Sequence, residues 1–157
     1  IENFLRQKAI QFEERGWCRV YLMMNKEELS RRNFKVEAYF TLSHKSVILQ
    51  EEISGNKRRE VGHSKTDTNI HFVLIGHLGK YIFIDEANPD NNRFSEVSSK
   101  EILDRAFEVI GKAHDLISCR CVLVECNDNV KVHNVYYSYG FKYLQHDGEH
   151  HQLYKKL

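Results

Sequence analysis

Apolar positions recur at helical spacing at the start of the chain. Phe4, Leu5, Ala9 and Phe12 fall on one face of a segment that Gly16 closes, which predicts a helix over residues 1–16. Residues 17–24 then read as a strand, and the polar stretch 25–33 as a turn or short helix. Residues 34–43 alternate and are rich in β-formers, so a second strand is predicted there, with 44–49 extending the sheet. Residues 51–69 are polar, carry Gly55 and Gly62, and predict a mobile surface segment. Residues 69–81 are apolar without clean alternation, the pattern of a strand covered on both faces. Gly76 and Gly79 fall within that run and predict a bulge or a place where a ligand approaches the backbone. Residues 83–97 contain the only proline and read as a loop.

The next helix has the clearest start signal. Ser98 and Glu101 form a capping box, and Ile102, Leu103, Ala106, Phe107, Ile110 and Ala113 then make one apolar face. A buried strand is predicted over residues 120–126. A helix over 128–140 follows, ended by Gly140 as a left-handed cap, and then a closing hairpin around residues 146–149. There is no internal repeat. The order helix, strands, helix, strand, helix, strands predicts a mixed α/β (α+β) domain around one sheet, a single domain over 1–157.

Composition narrows the class. The chain has 157 residues, 41% hydrophobic and 29% charged, enough to bury a substantial core. Its formal net charge of +1 supplies no global field for nucleic acid or an anionic membrane. Local basic runs exist at Lys57–Arg59, read as a solvated loop, and at Arg31–Arg32. No apolar run reaches the ~20 residues of a membrane helix. The chain opens at Ile1 inside a helical pattern, so further residues are expected upstream in the natural protein. Cys18, Cys119, Cys121 and Cys126 lie in or beside strand-like runs without zinc-site spacing, and read as reduced packing thiols of a cytoplasmic protein. A metal site built from Cys119, Cys121, Cys126 and the 146–151 histidine cluster matches no four-ligand pattern, so no metal is expected.

The last third carries a more specific shape. A buried strand ends in an acidic-polar turn, a short helix carries Tyr136, and Gly140-Phe141 opens a strand. This stretch, residues 123–144, resembles the C-terminal half of the GNAT family of N-acetyltransferases. Upstream, Gly16-Trp-Cys-Arg19 and Tyr39-Phe-Thr-Leu42 are similar, in order, to strands of the GNAT subgroup that includes bacterial toxins of toxin–antitoxin pairs. The resemblance spans nearly the whole chain, with gaps at 51–69 and 81–97, and rests on order and spacing rather than on one motif. It implies a GNAT-like acyl-CoA N-acyltransferase fold, with a central splayed mixed sheet flanked by helices. It also implies acetyl-CoA as cosubstrate and transfer of an acetyl group to a primary amine. The toxin subgroup adds aminoacyl-tRNA as an acceptor, and leaves room for a homodimer and an antitoxin partner.

The same resemblance distributes roles. Tyr136 would protonate the coenzyme A thiolate, since a phenol with an ordinary pKa near ~10 is protonated at neutral pH. Backbone near Leu78, Gly79 and Lys80 would meet pantetheine or the thioester carbonyl. Asn129, at the start of the Tyr136 helix, also falls among the coenzyme-contacting positions. The family's glycine-rich pyrophosphate loop has no counterpart here, because residues 91–103 lack glycine. The free N–H groups and dipole of the helix that begins near Ser98 could take its place, with Ser98, Ser99 and Lys100 adding hydroxyls and a cation. Tyr137 and Tyr139 read as packing or surface residues. A general base is not assigned: His77 borders the central strand, and Glu125 sits near the end of the 120–126 strand, where pairing with a neighbouring donor is the commoner role. The missing loop motivates a second reading, a non-catalytic GNAT-fold binding module.

Overall fold

The computed structural model describes residues 2–157, with side chains from residue 4 onward. The predicted first helix is two: α1 (Glu2–Gln7) and α2 (Ala9–Glu14). The break falls at Lys8, whose backbone leaves helical geometry (φ −123°, ψ −26°), although N–H groups still reach across it, from Lys8 to Phe4 and from Phe12 to Lys8. Gly16 closes the segment at φ +68°, a conformation open to glycine at no steric cost.

The remaining elements are β1 (Arg19–Met24), α3 (Lys26–Ser30), β2 (Val36–Ile48), α4 (Gly55–Val61), β3 (Asn69–Lys80), β4 (Ile82–Phe83), β5 (Arg93–Phe94), α5 (Ser99–His114), β6 (Cys121–Cys126), α6 (Val130–Ser138), β7 (Lys142–His146) and β8 (His151–Lys156). Six strands form one mixed sheet in the order β1-β2-β3-β6-β8-β7, while β4 and β5 make a separate two-stranded ribbon. β3 and β6 run parallel, and their ladder is short: Val73 to Ile75 pair with Val122 to Val124. β6 and β8 pair antiparallel over six positions, from Cys121↔Lys156 to Cys126↔His151.

The chain divides into two compact units, Ile1–Leu42 with His77–Ala106, and Ser43–Gly76 with Phe107–Leu157. In the first, Phe4, Ala9 and Tyr39 form a buried cluster that Leu5, Phe12, Cys18 and Val20 pack against. In the second, Val47, Leu49, Val61, Ile70, Phe72, Cys121, Leu123, Leu144 and Tyr154 form the core.

Three sequence expectations change. Residues 51–69 are not a mobile surface segment, because they contain α4, and Arg58, Val61 and Gly62 are buried. Their polarity misleads since the buried arginine finds carbonyls: its Nε donates to Ile53 O (2.9 Å), Nη1 to Asp67 O (2.9 Å) and Nη2 to Gln50 O (2.6 Å). Gly62 is small for a reason of space, since a Cβ there would stand 2.5 Å from Asp67 Oδ2 and 2.6 Å from Ile70 Cδ1. Gly76 and Gly79 do not interrupt β3, which runs unbroken from Asn69 to Lys80, and neither has positive φ. The 83–97 loop also carries structure, a 3₁₀ turn at Pro89–Asn91 beside the β4–β5 ribbon.

Candidate active site

In the first unit the tip of α5 is built as its sequence requires. Ser98 Oγ accepts from Glu101 N (3.1 Å), and Glu101 Oε2 accepts from Ser98 N (2.7 Å). These bonds hold the Glu101 carboxyl below its usual range, with nearby Lys80 adding to the effect. The box engages the Ser98 hydroxyl and puts a carboxylate on the first turn. Lys100 Nζ is drawn to Asp104 (2.8 Å), one turn along. The N–H groups of Ser99 and Lys100 remain the orphan donors of this tip. At the end of β3, Gly79 is buried, Leu78 half-buried and Lys80 exposed. His77 is committed to packing. Its ring stacks on Phe4 at 4.1 Å, its backbone N–H donates to Thr41 Oγ1 (2.8 Å), and partial burial lowers its pKa.

In the second unit α6 carries the tyrosines. Asn129 caps it, with Oδ1 accepting from Lys131 N (3.0 Å) and Val132 N (3.3 Å). The other end is a Schellman closure: Phe141 N–H bonds Tyr136 O (3.0 Å), Gly140 N–H bonds Tyr137 O (3.0 Å), and Gly140 takes φ +92°. The hydrophobic contact that accompanies this motif is Tyr136 on Phe141, edge to face at 5.5 Å. The spacing Tyr-x-x-x-Gly-Phe is therefore first a helix-stop geometry. Tyr136 is the buried tyrosine of α6, and burial, with Cys126 nearby, pushes its pKa up to about 12. Tyr137 is exposed. Tyr139 packs against Phe107 and Phe141, and its carbonyl accepts from Lys155 Nζ (2.7 Å).

Glu125 is fully engaged. Both its oxygens meet Lys45 Nζ (2.6 and 2.7 Å), and Oε1 also accepts from Gln152 Nε2 (2.7 Å). That pairing is the commoner role the sequence suggested. The basic runs are thinned in the same way. Arg58 is buried, Lys57 donates to Tyr143 O (2.6 Å), and Arg31 lies 3.6 Å from Glu28. Arg31, Arg32 and Arg59 are the exposed cations of the two runs. All four cysteines are free thiols; Cys121 and Cys126 are buried, and burial pushes Cys121 up to about 11. No helix among the described residues is long and apolar enough to cross a membrane.

No protein-family model matches the chain, and no curated protein matches it. Solved structures do. The structure of AtaT complexed with acetyl-methionyl-tRNAfMet aligns over 98% of this chain and 79% of its own, with a TM-score of 0.70 at 20% identity. The complex AtaTR bound with acetyl-CoA aligns over 98% and 78%, with a TM-score of 0.67 at 20% identity. A tyrosine-to-phenylalanine mutant of KacT aligns over 98% and 79%, with a TM-score of 0.65 at 15% identity.

The chain has the GNAT fold seen in the AtaT and KacT structures.

The β4–β5 ribbon and the 3₁₀ turn precede α5 in the chain, and the donors at its tip belong to a serine-capped helix. Sequence reasoning missed the clamp made by Arg58, whose acceptors lie five to nine residues away in the surrounding loops, and the role of Gln152, whose acceptor Glu125 is distant in sequence. It also missed the joint placement of Asp128, His133 and His151.

Proposed function

We propose that the protein is an acetyl-CoA-dependent N-acetyltransferase that uses an aminoacyl-tRNA as amine acceptor. The observation that carries the reading is a protonated, buried tyrosine on α6 of a fold shared with AtaT, a protein solved with acetyl-CoA and with acetyl-methionyl-tRNAfMet. In the reaction the amine attacks the thioester carbonyl, a C–N bond forms, the C–S bond breaks, and one amine proton ends on the coenzyme thiol. Tyr136 serves the leaving sulfur. With its pKa near 12 it stays protonated, and complete transfer to a thiolate of pKa ~8.5 runs uphill. Its part is therefore to donate a hydrogen bond as negative charge builds on sulfur, with final protonation from solvent.

The N–H groups of Ser99 and Lys100 at the α5 tip would hold pyrophosphate, supported by the helix dipole and the Ser99 hydroxyl. Ser98 would contribute by fixing the tip through its cap. The Leu78–Lys80 backbone would pair with pantetheine. The amide nitrogen of Asn129 is the part of that side chain left for the coenzyme once its oxygen caps α6. An antitoxin and a second copy of the chain would be the protein partners.

The test measures coenzyme A release with aminoacyl-tRNA and with simple amines as acceptors, alongside calorimetric titration of acetyl-CoA. Tyr136→Phe keeps the ring contact on Phe141 and should lower turnover by ~10- to 10³-fold with acetyl-CoA affinity nearly intact. Unchanged turnover removes Tyr136 from the chemistry. Failure of the wild type to bind acetyl-CoA at millimolar concentration favours the non-catalytic module, for which the absent glycine loop is the specific support.

A further inference from the structure

In the second unit three side chains from three elements converge. Asp128 lies two residues past the end of β6, His133 in the opening turns of α6, and His151 at the first position of β8. The antiparallel register sets His151 opposite Cys126, and that pairing brings β8 beside the turn that carries Asp128. One ligand atom from each of the three residues lies within 4.8 Å of the others. His151 Nε2 stands 3.9 Å from Asp128 Oδ1, and the two imidazole rings are 4.8 Å apart at 56°.

A second observation comes from His133. Its Nε2 is buried and has no hydrogen-bond partner. An orphaned buried ring nitrogen is destabilising unless something accepts or donates there. Lone-pair donation to a cation satisfies it. Two imidazoles and one carboxylate are a donor set suited to zinc and its first-row neighbours, with three protein ligands and an open position for water. Tetrahedral Zn²⁺ with ~2.0–2.1 Å bonds needs ligand atoms about 3.3 Å apart, so the cluster must tighten by roughly an ångström or more. The Asp128 side chain is 81% exposed and free to swing in, while His133 and His151 are fixed by their elements.

We infer that Asp128, His133 and His151 form a binding site for a divalent transition-metal ion of the zinc class, which clips the first turns of α6 to the start of β8. Its three ligands are not among the residues given roles at the coenzyme. Binding tightens the base of the helix that carries Tyr136 and stabilises the folded state by mass action.

The experiment titrates Zn²⁺ into the full chain after chelator treatment, read by calorimetry and by thermal unfolding. Co²⁺ then serves as a spectroscopic substitute. One ion per chain, a raised Tm and Co²⁺ d–d absorption are expected. His133→Ala and His151→Ala should each weaken binding by about tenfold or more and abolish the Co²⁺ spectrum, with circular dichroism reporting the fold. Asp128→Asn, an exposed and near-isosteric change, gives the same answer should a histidine variant fold poorly. No saturable uptake by the wild type, or undiminished uptake in the variants, overturns the site and assigns His133 Nε2 to a bound water.

Discussion

Replacing Arg58 with alanine tests whether the 57–59 run is a structural clamp or an RNA-facing patch. The side chain is 8% exposed, and its guanidinium donates to three backbone carbonyls at 2.6–2.9 Å. Each hydrogen bond from a charged donor contributes about 1.5–3 kcal/mol. The low end applies here, because Gln50 is exposed and Ile53 and Asp67 are half-buried, so water recovers part of the loss. Three bonds then give about 4–5 kcal/mol against a total stability of ~10 kcal/mol for such a chain. In urea, with a slope of ~2 kcal/mol per molar, the midpoint should fall by about 2–2.5 M. Arg58→Lys should recover only a minor part, since an ammonium cannot present the planar fork that reaches all three acceptors. The matching assay is aminoacyl-tRNA affinity against salt. A lost phosphate contact would lower the log–log slope by ~0.7–0.9, and the buried clamp predicts no change. A destabilisation below ~1 kcal/mol together with a reduced salt slope would refute the clamp and restore the run to the surface.

Other outcomes follow from the same bonds. Gly62→Ala should destabilise by about 1–3 kcal/mol in urea unfolding, because the new Cβ displaces Asp67 Oδ2 from its bonds to His63 N and Ser64 N; an unchanged midpoint would mean that the neighbours yield freely. Those two N–H bonds hold the Asp67 carboxyl below its ordinary value, so the stability it adds is complete above about pH 3.9 and drains away as pH falls through the lower folded-state value. Tm curves of the wild type and Asp67→Asn should accordingly differ at neutral pH and converge in acid, and parallel curves would dismiss the linkage. Ser98→Ala removes the cap of α5 and should cost about 1 kcal/mol; no loss would mean that Glu101 alone holds the tip.

The sequence by itself determined the elements whose signals close within a few residues. The Ser98–Glu101 box, the Asn129 cap and the Tyr136–Gly140–Phe141 closure all appear where their spacing puts them, because each is a local hydrogen-bond geometry. The position of Tyr136, and with it the GNAT resemblance, was legible for that reason. Tertiary structure decided the rest. Arg58 is polar in the sequence and buried in the fold because Gln50 and Asp67 supply carbonyls that composition cannot foresee. Glu125 found its partner in Lys45, eighty residues away. Asp128, His133 and His151 became neighbours only when β8 paired with β6. Local geometry is written in short-range spacing. A buried charge can be satisfied by carbonyls of the adjoining loops, whereas the gathering of a ligand set depends on which distant segments the sheet brings together.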